Sequence, residues 1–288
     1  MEHFKGLFIF ILTFFFLSST HLHAYKWELS AAMIFQDEAP YLREWIEYHK
    51  MLGVQHFYLY NNKSTDNYLE VLKPYIRSKE VELTEWNFSF EEHETYLWTQ
   101  IQCNAYRNAH IRCKKNTKWL IILDSDEFFV PVEHESLISL LKNYEDDKTL
   151  AAIYGKWVSF GTSHVTKIPD DTLMIELLLM NLGYPDPMHV KGISRPHRVL
   201  DYSDPHRVIP RKGYTTVELE TDLLQVNHYW TRDEHYFFNF KIPRREKIET
   251  SRETCMQWAE DNNGPANKFS LPILRFIPEL RSRMGFGL

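Results

Sequence analysis

The stretch KWLIILDSDEFFVP, Lys118 to Pro131, decides how this chain is read. Trp119 to Leu123 form a near-continuous apolar run, the pattern of a central parallel strand buried on both faces. The run delivers three acids, Asp124, Asp126 and Glu127, and then aromatic residues resume. Taken as one strand from Lys118 to Phe129, the side chains alternate with period two. Asp124 and Asp126 then share a face and Ser125 points away. Two carboxylates on one face repel unless a cation stands between them. A hard divalent ion, Mn2+ or Mg2+, takes oxygen ligands and keeps open positions for phosphate oxygens. The plainer alternative is a solvated turn that caps a following helix.

Upstream, strand-like and helix-like segments alternate. WELSAAMIF reads as a strand, and in QDEAPYLREWIEYHKMLG the residues Leu42, Trp45, Ile46 and Leu52 form an apolar stripe at helical spacing, closed by Gly53. VQHFYLY is a second strand, NNKSTD a turn, NYLEVLKPYI a short helix and VELTEWNF a third strand. HETYLWTQIQCNAYRNAHIRCKK is a long helix leading to the acidic strand. Four strands separated by helices predict an α/β fold with a doubly wound, mostly parallel sheet. In such sheets ligands sit at the carboxyl ends of strands, where NNKSTD and DSDE both fall. Downstream, LAAIYGKWVSFG, HVKGISRPHRV and LLQVNHYW read as strands and DTLMIELLLMN as a helix. From Lys247 the pattern is helix followed by Pro-broken coil.

Composition narrows the function. The 288 residues carry 33 Lys and Arg against 39 Asp and Glu, a net charge of −6, with no dense basic stripe. Nucleic acid is therefore not expected as a partner. Cys103, Cys113 and Cys255 have no metal-type spacing and read as inert core thiols. LFIFILTFFFL, Leu7 to Leu17, follows Lys5 and precedes SSTHLHA, the layout of a signal peptide with Ala24 as a cleavage residue. An uncleaved membrane anchor is the other reading, and either places the body of the protein in an exported, secretory-lumen or membrane-associated setting.

Further residues join the acids as candidates. Asn61, Asn62, Ser64 and Asp66 bring amides and carboxylates to one strand end, suited to base and ribose contacts or to an ordinary Asx turn. Arg107 on the long helix is positioned for a base or phosphate, or is an exposed helix cation. His228 in VNHYW is a third metal ligand or a rim residue. A haloacid-dehalogenase-like phosphatase also uses an apolar strand followed by D-x-D-x-T, but here Phe128 stands in place of the Thr and the motif comes fourth in strand order.

Taken in order, MIFQDEAPYLREWIEYHKMLGVQHFYLYNNKSTDNYLEVLKPYI, KWLIILDSDEFFVP, VSFGTSH, VKGISRPHRV and NHYW…FNFKI resemble glycosyltransferase family 92, within the GT-A transferases. The resemblance implies a GT-A-like fold and a metal-dependent, inverting transfer of a hexose, galactose favoured, from a UDP-sugar to a carbohydrate hydroxyl. It implies that Asp124 and Asp126 are the D-x-D, with Asp126 holding Mn2+ or Mg2+ and Asp124 binding metal or ribose, and that His228 completes the metal site. Asn61, Asp66 and Arg107 match nucleotide-sugar-binding positions, although Asn61 replaces the acid that commonly reads the base. The base that activates the acceptor is not marked by a motif, and Asp204 and Glu176 are its candidates. The expected division is a signal peptide or anchor at 1–24, a nucleotide-sugar-binding half at 25–145, an acceptor- and metal-completing half at 146–246 and a tail at 247–288. A binding protein on a catalytically dead transferase fold is the second class. Sequons at Asn62 and Asn87 bear on it, because a glycan on Asn62 would obstruct the nucleotide loop.

Overall fold

The computed structural model describes residues 25–88, 95–247, 250–263 and 268–287. The expected signal peptide or anchor lies outside them. Among the described residues no helix is long and apolar enough to cross a membrane.

The first four strands are β1 (Trp27–Phe35), β2 (His56–Asn61), β3 (Val81–Glu85) and β4 (Thr117–Ile122). They are joined by α1 (Ala39–Met51), α2 (Tyr68–Arg77) and α3 (Thr95–Cys113). All pair in parallel in the order β3-β2-β1-β4. Leu42, Trp45 and Ile46 of α1 and Leu72 of α2 join Leu29, Ala31, Met33, Phe57 and Leu59 in one core. Ala105, Tyr106 and Ala109 of α3 pack with Ala32, Ile34, Tyr58 and Tyr60 in another. Alternate residues of the same strands thus face opposite layers, as the period-two pleat requires. The apolar stripe read from the sequence is fully buried. Gly53 ends α1 at φ 102°, a left-handed turn that a glycine adopts without steric cost.

The sheet then changes character. It continues through β8 (Val190–Ser194), β6 (Leu150–Ser159), β12 (Leu224–His228) and β5 (Glu127–Pro131), in that spatial order after β4. β8 is antiparallel to both β4 and β6, β12 is parallel to β6, and β5 is antiparallel to β12. β11 (Thr215–Leu219) pairs with β6 ahead of β12. The result is the GT-A-like arrangement expected, a Rossmann-type parallel half running without a break into a mixed half.

The decisive stretch is not one strand. β4 stops at Ile122, residues 123–126 turn, and β5 starts at Glu127 on the far edge of the sheet. Asp124 O accepts from Glu127 N at 3.1 Å, closing the turn. Four strand spacings across a flat sheet span about 19 Å. The chain from Ile122 to Glu127 reaches at most about 18 Å even when extended, and here it is folded back. The sheet therefore curls. The inside of the curl is filled by α1, whose Trp45 Nε1 donates to Glu127 O at 3.0 Å and whose Tyr48 hydroxyl donates to Phe129 O at 2.9 Å. The period-two argument for Asp124 and Asp126 does not apply, because neither lies in a strand.

Two other expectations change. DTLMIELLLMN yields one helical turn, α5 (Met174–Leu177), followed by β7 (Met180–Asn181). Glu44 accepts from Met174 N and Ile175 N at 3.0 and 3.1 Å, anchoring the start of the turn, and β7 is drawn into pairing with β13 (Lys268–Phe269). The C-terminal tail holds the expected helix, α8 (Arg252–Asn263), but the Pro-bearing stretch after it is not all coil. α9 (Ile277–Met284) forms with Pro278 in its first turn, where a missing N–H costs nothing.

Candidate active site

The strand order reverses between β2-β1 and β1-β4, so the ends of β1 and β4 bound the crevice where such sheets bind ligands. Leu123 N donates to Ala32 O, keeping β4 beside β1 to its last residue. The turn that follows is held from both sides. Tyr229 N donates to Asp126 O at 2.8 Å, and Arg232 Nη2 donates to Ser125 Oγ at 3.1 Å. Arg232 is fully buried, ion-paired with Glu38 beyond the end of β1, and its guanidinium lies over the rings of Tyr41 and Tyr236.

The two aspartates have different surroundings. Asp124 Oδ1 accepts from Gln102 Nε2 at 2.6 Å and from the Tyr106 hydroxyl at 3.0 Å, residues one turn apart on α3. Its Oδ2 is 3.0 Å from Lys191 Nζ, which also lies 3.1 Å from Glu127 Oε2. Lys191 projects from β8 with no exposed surface. Burial lowers its proton affinity, but Asp124 and Glu127 raise it above the ordinary lysine range, so it stays cationic. Burial raises Glu127 above the usual carboxylate range, with Lys191 opposing.

Asp126 sits on the other side of the turn. Its Oδ1 is 3.8 Å from His228 Nε2 and its Oδ2 is 3.3 Å from Lys241 Nζ. Burial works against its ionised form, yet Lys241, His228 and Arg232 hold it well below the usual carboxylate range. His228 is placed by the end of β12, between Glu127 of β5 and Ser159 of β6. Its ring lies 3.9 Å from the Trp157 ring, and burial pulls it down to about 4, below the ordinary histidine value, with Asp126 opposing. The imidazole is thus neutral near pH 7, the form that ligates a metal. His189 and His206 stand around the same Trp157, at 4.7 and 5.1 Å between ring centres.

Two of these side chains, Asp126 and His228, are spaced to share a divalent cation. A carboxylate oxygen and an imidazole nitrogen 3.8 Å apart can both reach one ion at about 2 Å each. Asp124, with both oxygens committed, is no third ligand in this arrangement. Among the described residues no group of three or more His, Cys, Asp or Glu side chains is arranged to hold an ion. Water and substrate oxygens would complete the shell.

The other sequence candidates are held by partners outside this turn. Asn61 is buried, donating to the Tyr68 hydroxyl at 2.9 Å and to Glu85 Oε2 at 2.7 Å, and accepting from Ser64 N at 2.9 Å. Asp66 accepts from Ala39 N at 2.7 Å and Tyr68 N at 3.3 Å, joining the starts of α1 and α2. Arg107 donates to Asp201 at 2.6 Å, Asn104 at 3.0 Å and Tyr202 O at 3.1 Å, tying α3 to β9 (Val199–Tyr202). Asp204 accepts from the backbone of His206 and Arg207 in a turn. Glu176 caps α5 at Leu173 N and pairs with Arg281 of α9. Asn62 is buried with its amide on Trp86 O and Phe88 O, whereas Asn87 is exposed. A cleft of about 1230 Å³ lies between α1, α2 and residues 167–174; Asp37, Asp66 and Arg244 line it, while Asp124, Asp126 and His228 do not.

Four residues of the turn's surroundings escaped the sequence reading: Gln102, Tyr106, Lys191 and Lys241. A signal existed for three. Gln102 and Tyr106 stand at i, i+4 on one helix, and Lys191 interrupts an apolar strand, where a lysine needs a buried partner.

The family model for glycosyltransferase family 92 matches residues 29–263. The chain belongs to glycosyltransferase family 92. A family 92 protein of Ricinus communis is 30% identical over 253 residues, covering 83% of this chain and 40% of the relative. One from Arabidopsis thaliana is 27% identical over 249 residues, with the same two shares, 83% and 40%. A beta-1,4-galactosyltransferase of Caenorhabditis elegans is 25% identical over 221 residues, 74% of this chain and 49% of its own length. The chain therefore spans less than half the length of these curated family 92 relatives and of the galactosyltransferase. Among solved structures, S. aureus TarS in complex with UDP-GlcNAc is 11% identical with a TM-score of 0.43, covering 90% of this chain and 80% of that one. Glucosyl-3-phosphoglycerate synthase of Mycobacterium tuberculosis, in complex with Mn2+, UDP and glucosyl-3-phosphoglycerate, is 12% identical with a TM-score of 0.40, covering 91% and 81%. Membership of family 92 stands against the phosphatase alternative.

Proposed function

We propose that this family 92 chain transfers a hexose, galactose favoured, from a UDP-sugar to a carbohydrate hydroxyl with inversion, using Mn2+ or Mg2+. The observation that carries the reading is the approach of Asp126 and His228 across the turn, 3.8 Å apart and both buried. A nitrogen ligand suits Mn2+ better than Mg2+, which favours all-oxygen shells. Bound there, the ion would act as a Lewis acid toward the departing diphosphate.

The chain's own residues divide the remaining work. Asp126 and His228 hold the cation. Gln102, Tyr106 and Lys191 fix Asp124 with its charge compensated, so that it presents an edge to the ribose side without a second unpaired negative charge. Arg232 and Glu38 lock the turn against the end of β1. Asn61 and Asp66 shape the strand-end loop around a nucleotide, while Arg107 ties α3 to β9. Asp204 and Glu176 have oxygens committed to backbone N–H groups, which argues against either as the free base of an inverting transfer. The N-terminal segment would deliver the protein to a secretory lumen or hold it at a membrane, where a nucleotide sugar can be supplied. Burial of the Asn62 amide makes that setting compatible with an unmodified nucleotide loop.

A panel of nucleotide sugars, with and without Mn2+, tests the proposal. UDP-galactose consumed only with a divalent ion, and with product of inverted configuration, supports it. Tight UDP binding with no transfer to any carbohydrate acceptor would mark a binding protein instead.

A further inference from the structure

Lys241 lies in the FNFKI stretch, to which the resemblance assigned no role, and it faces Asp126. It closes a five-residue π-helical segment, Phe237–Lys241, between α6 (Glu234–Tyr236) and α7 (Ile242–Glu246). One extra residue in a helical turn rotates everything after it by about 100°. Phe238 and Phe240 of the same segment remain exposed, whereas the Lys241 side chain turns inward, 13% accessible, with Nζ 5.0 Å from the Trp230 ring centre. The contrast with Lys191 is informative. Lys191 is shared by two carboxylates at 3.0 and 3.1 Å, while Lys241 has one acceptor among the described residues, Asp126 at 3.3 Å. An ammonium has three donors, so two remain for another acceptor.

We propose that Lys241 is a ligand of the donor's diphosphate, resting on Asp126 until a nucleoside diphosphate arrives. The inference rests on the donor reading above. A divalent ion on Asp126 and His228 would be repelled by an ammonium on the same carboxylate. An anion with several oxygens relieves that repulsion, because it can contact both cations at once. A nucleoside diphosphate fits, with oxygens on two phosphorus atoms. Lys241 therefore opposes binding of the bare metal and favours binding of the metal with nucleotide. A lysine that merely neutralised Asp126 would produce the first effect without the second.

Titration calorimetry with Mn2+ alone, and with UDP at saturating Mn2+, separates these roles in wild type, Lys241→Met and Lys241→Arg. Lys241→Met should bind Mn2+ alone more tightly and UDP about tenfold more weakly, the loss expected for one charge-assisted hydrogen bond. Lys241→Arg should recover most of the UDP affinity, and UMP should show a smaller loss in Lys241→Met than UDP does. Should Lys241→Met not fold, Lys241→Gln serves in its place, since its amide keeps a polar group beside Asp126. Tighter Mn2+ binding with unchanged UDP affinity in the variant overturns the proposal and leaves Lys241 a counter-ion. Absence of UDP binding in wild type overturns the donor reading, and this inference with it.

Discussion

Lys191 Nζ lies 3.0 Å from Asp124 Oδ2 and 3.1 Å from Glu127 Oε2, with no exposed surface. The contact joins β8 to the turn between β4 and β5. Removing the cation leaves the buried Glu127 facing Asp124, which is about a third exposed, with no positive charge between them. Lys191→Met should therefore cost about 3–5 kcal/mol in urea unfolding, the range for breaking a buried ion pair from one side. Adding Glu127→Gln should recover part of the loss. A cost below about 1 kcal/mol would mean that water already reaches the lysine.

Asp126→Asn should abolish Mn2+-dependent UDP binding by calorimetry. It should also destabilise the fold, because Lys241 and His228 lose the buried carboxylate between them. The expected cost is about 1–3 kcal/mol. Lys241→Met in the Asp126→Asn background should restore stability without restoring metal-dependent binding. If the two substitutions are additive in thermal unfolding, the residues are not coupled.

Buried neutral histidines give the fold an acid weakness. Burial lowers His49 to about 3 and His56, His110 and His228 to about 4, while the unfolded chain protonates its histidines near 6.5. The unfolded state then binds more protons as pH falls below about 6.5, so their contribution is present above that value and lost progressively toward pH 4. Each histidine contributes at most about 1.4 kcal/mol per pH unit. Glu38, Glu44 and Glu127, raised by burial, act in the opposite sense. The test is a difference. His49→Leu should flatten the dependence of the urea midpoint on pH between 6.5 and 4 relative to wild type. Parallel curves would show that His49 is charged in the native state.

Arg107 and Tyr106 are neighbours with different expected effects. The Arg107–Asp201 pair is more than a third exposed on both sides, so Arg107→Ala should cost at most about 1 kcal/mol in stability. Tyr106 is fully buried and holds Asp124 Oδ1. Tyr106→Phe should weaken UDP binding more than Arg107→Ala does. The reverse order in donor kinetics would return Arg107 to the nucleotide.

Much of this protein was legible in the residues themselves. The stripe of Leu42, Trp45, Ile46 and Leu52, the four parallel strands and the strand-end position of the acids follow from local periodicity. Periodicity reports which face of an element is apolar, and near neighbours in sequence determine that. What it did not reveal was that DSDEFF bends. An apolar strand and an apolar strand after a turn look alike until the partner of the second is known, and β5 pairs with β12, nearly a hundred residues later. The same limit hid Lys191 and Lys241. Each reaches its carboxylate across more than sixty residues of chain, one through β8 and the other through a widened helical turn. Two aspartates separated by one serine are equivalent in sequence. Only the curled sheet, by placing Lys191 on one side of the turn and His228 with Lys241 on the other, makes one a compensated anchor and the other a buried anion facing an imidazole and an ammonium, because charge in a folded chain is set by what is near in space.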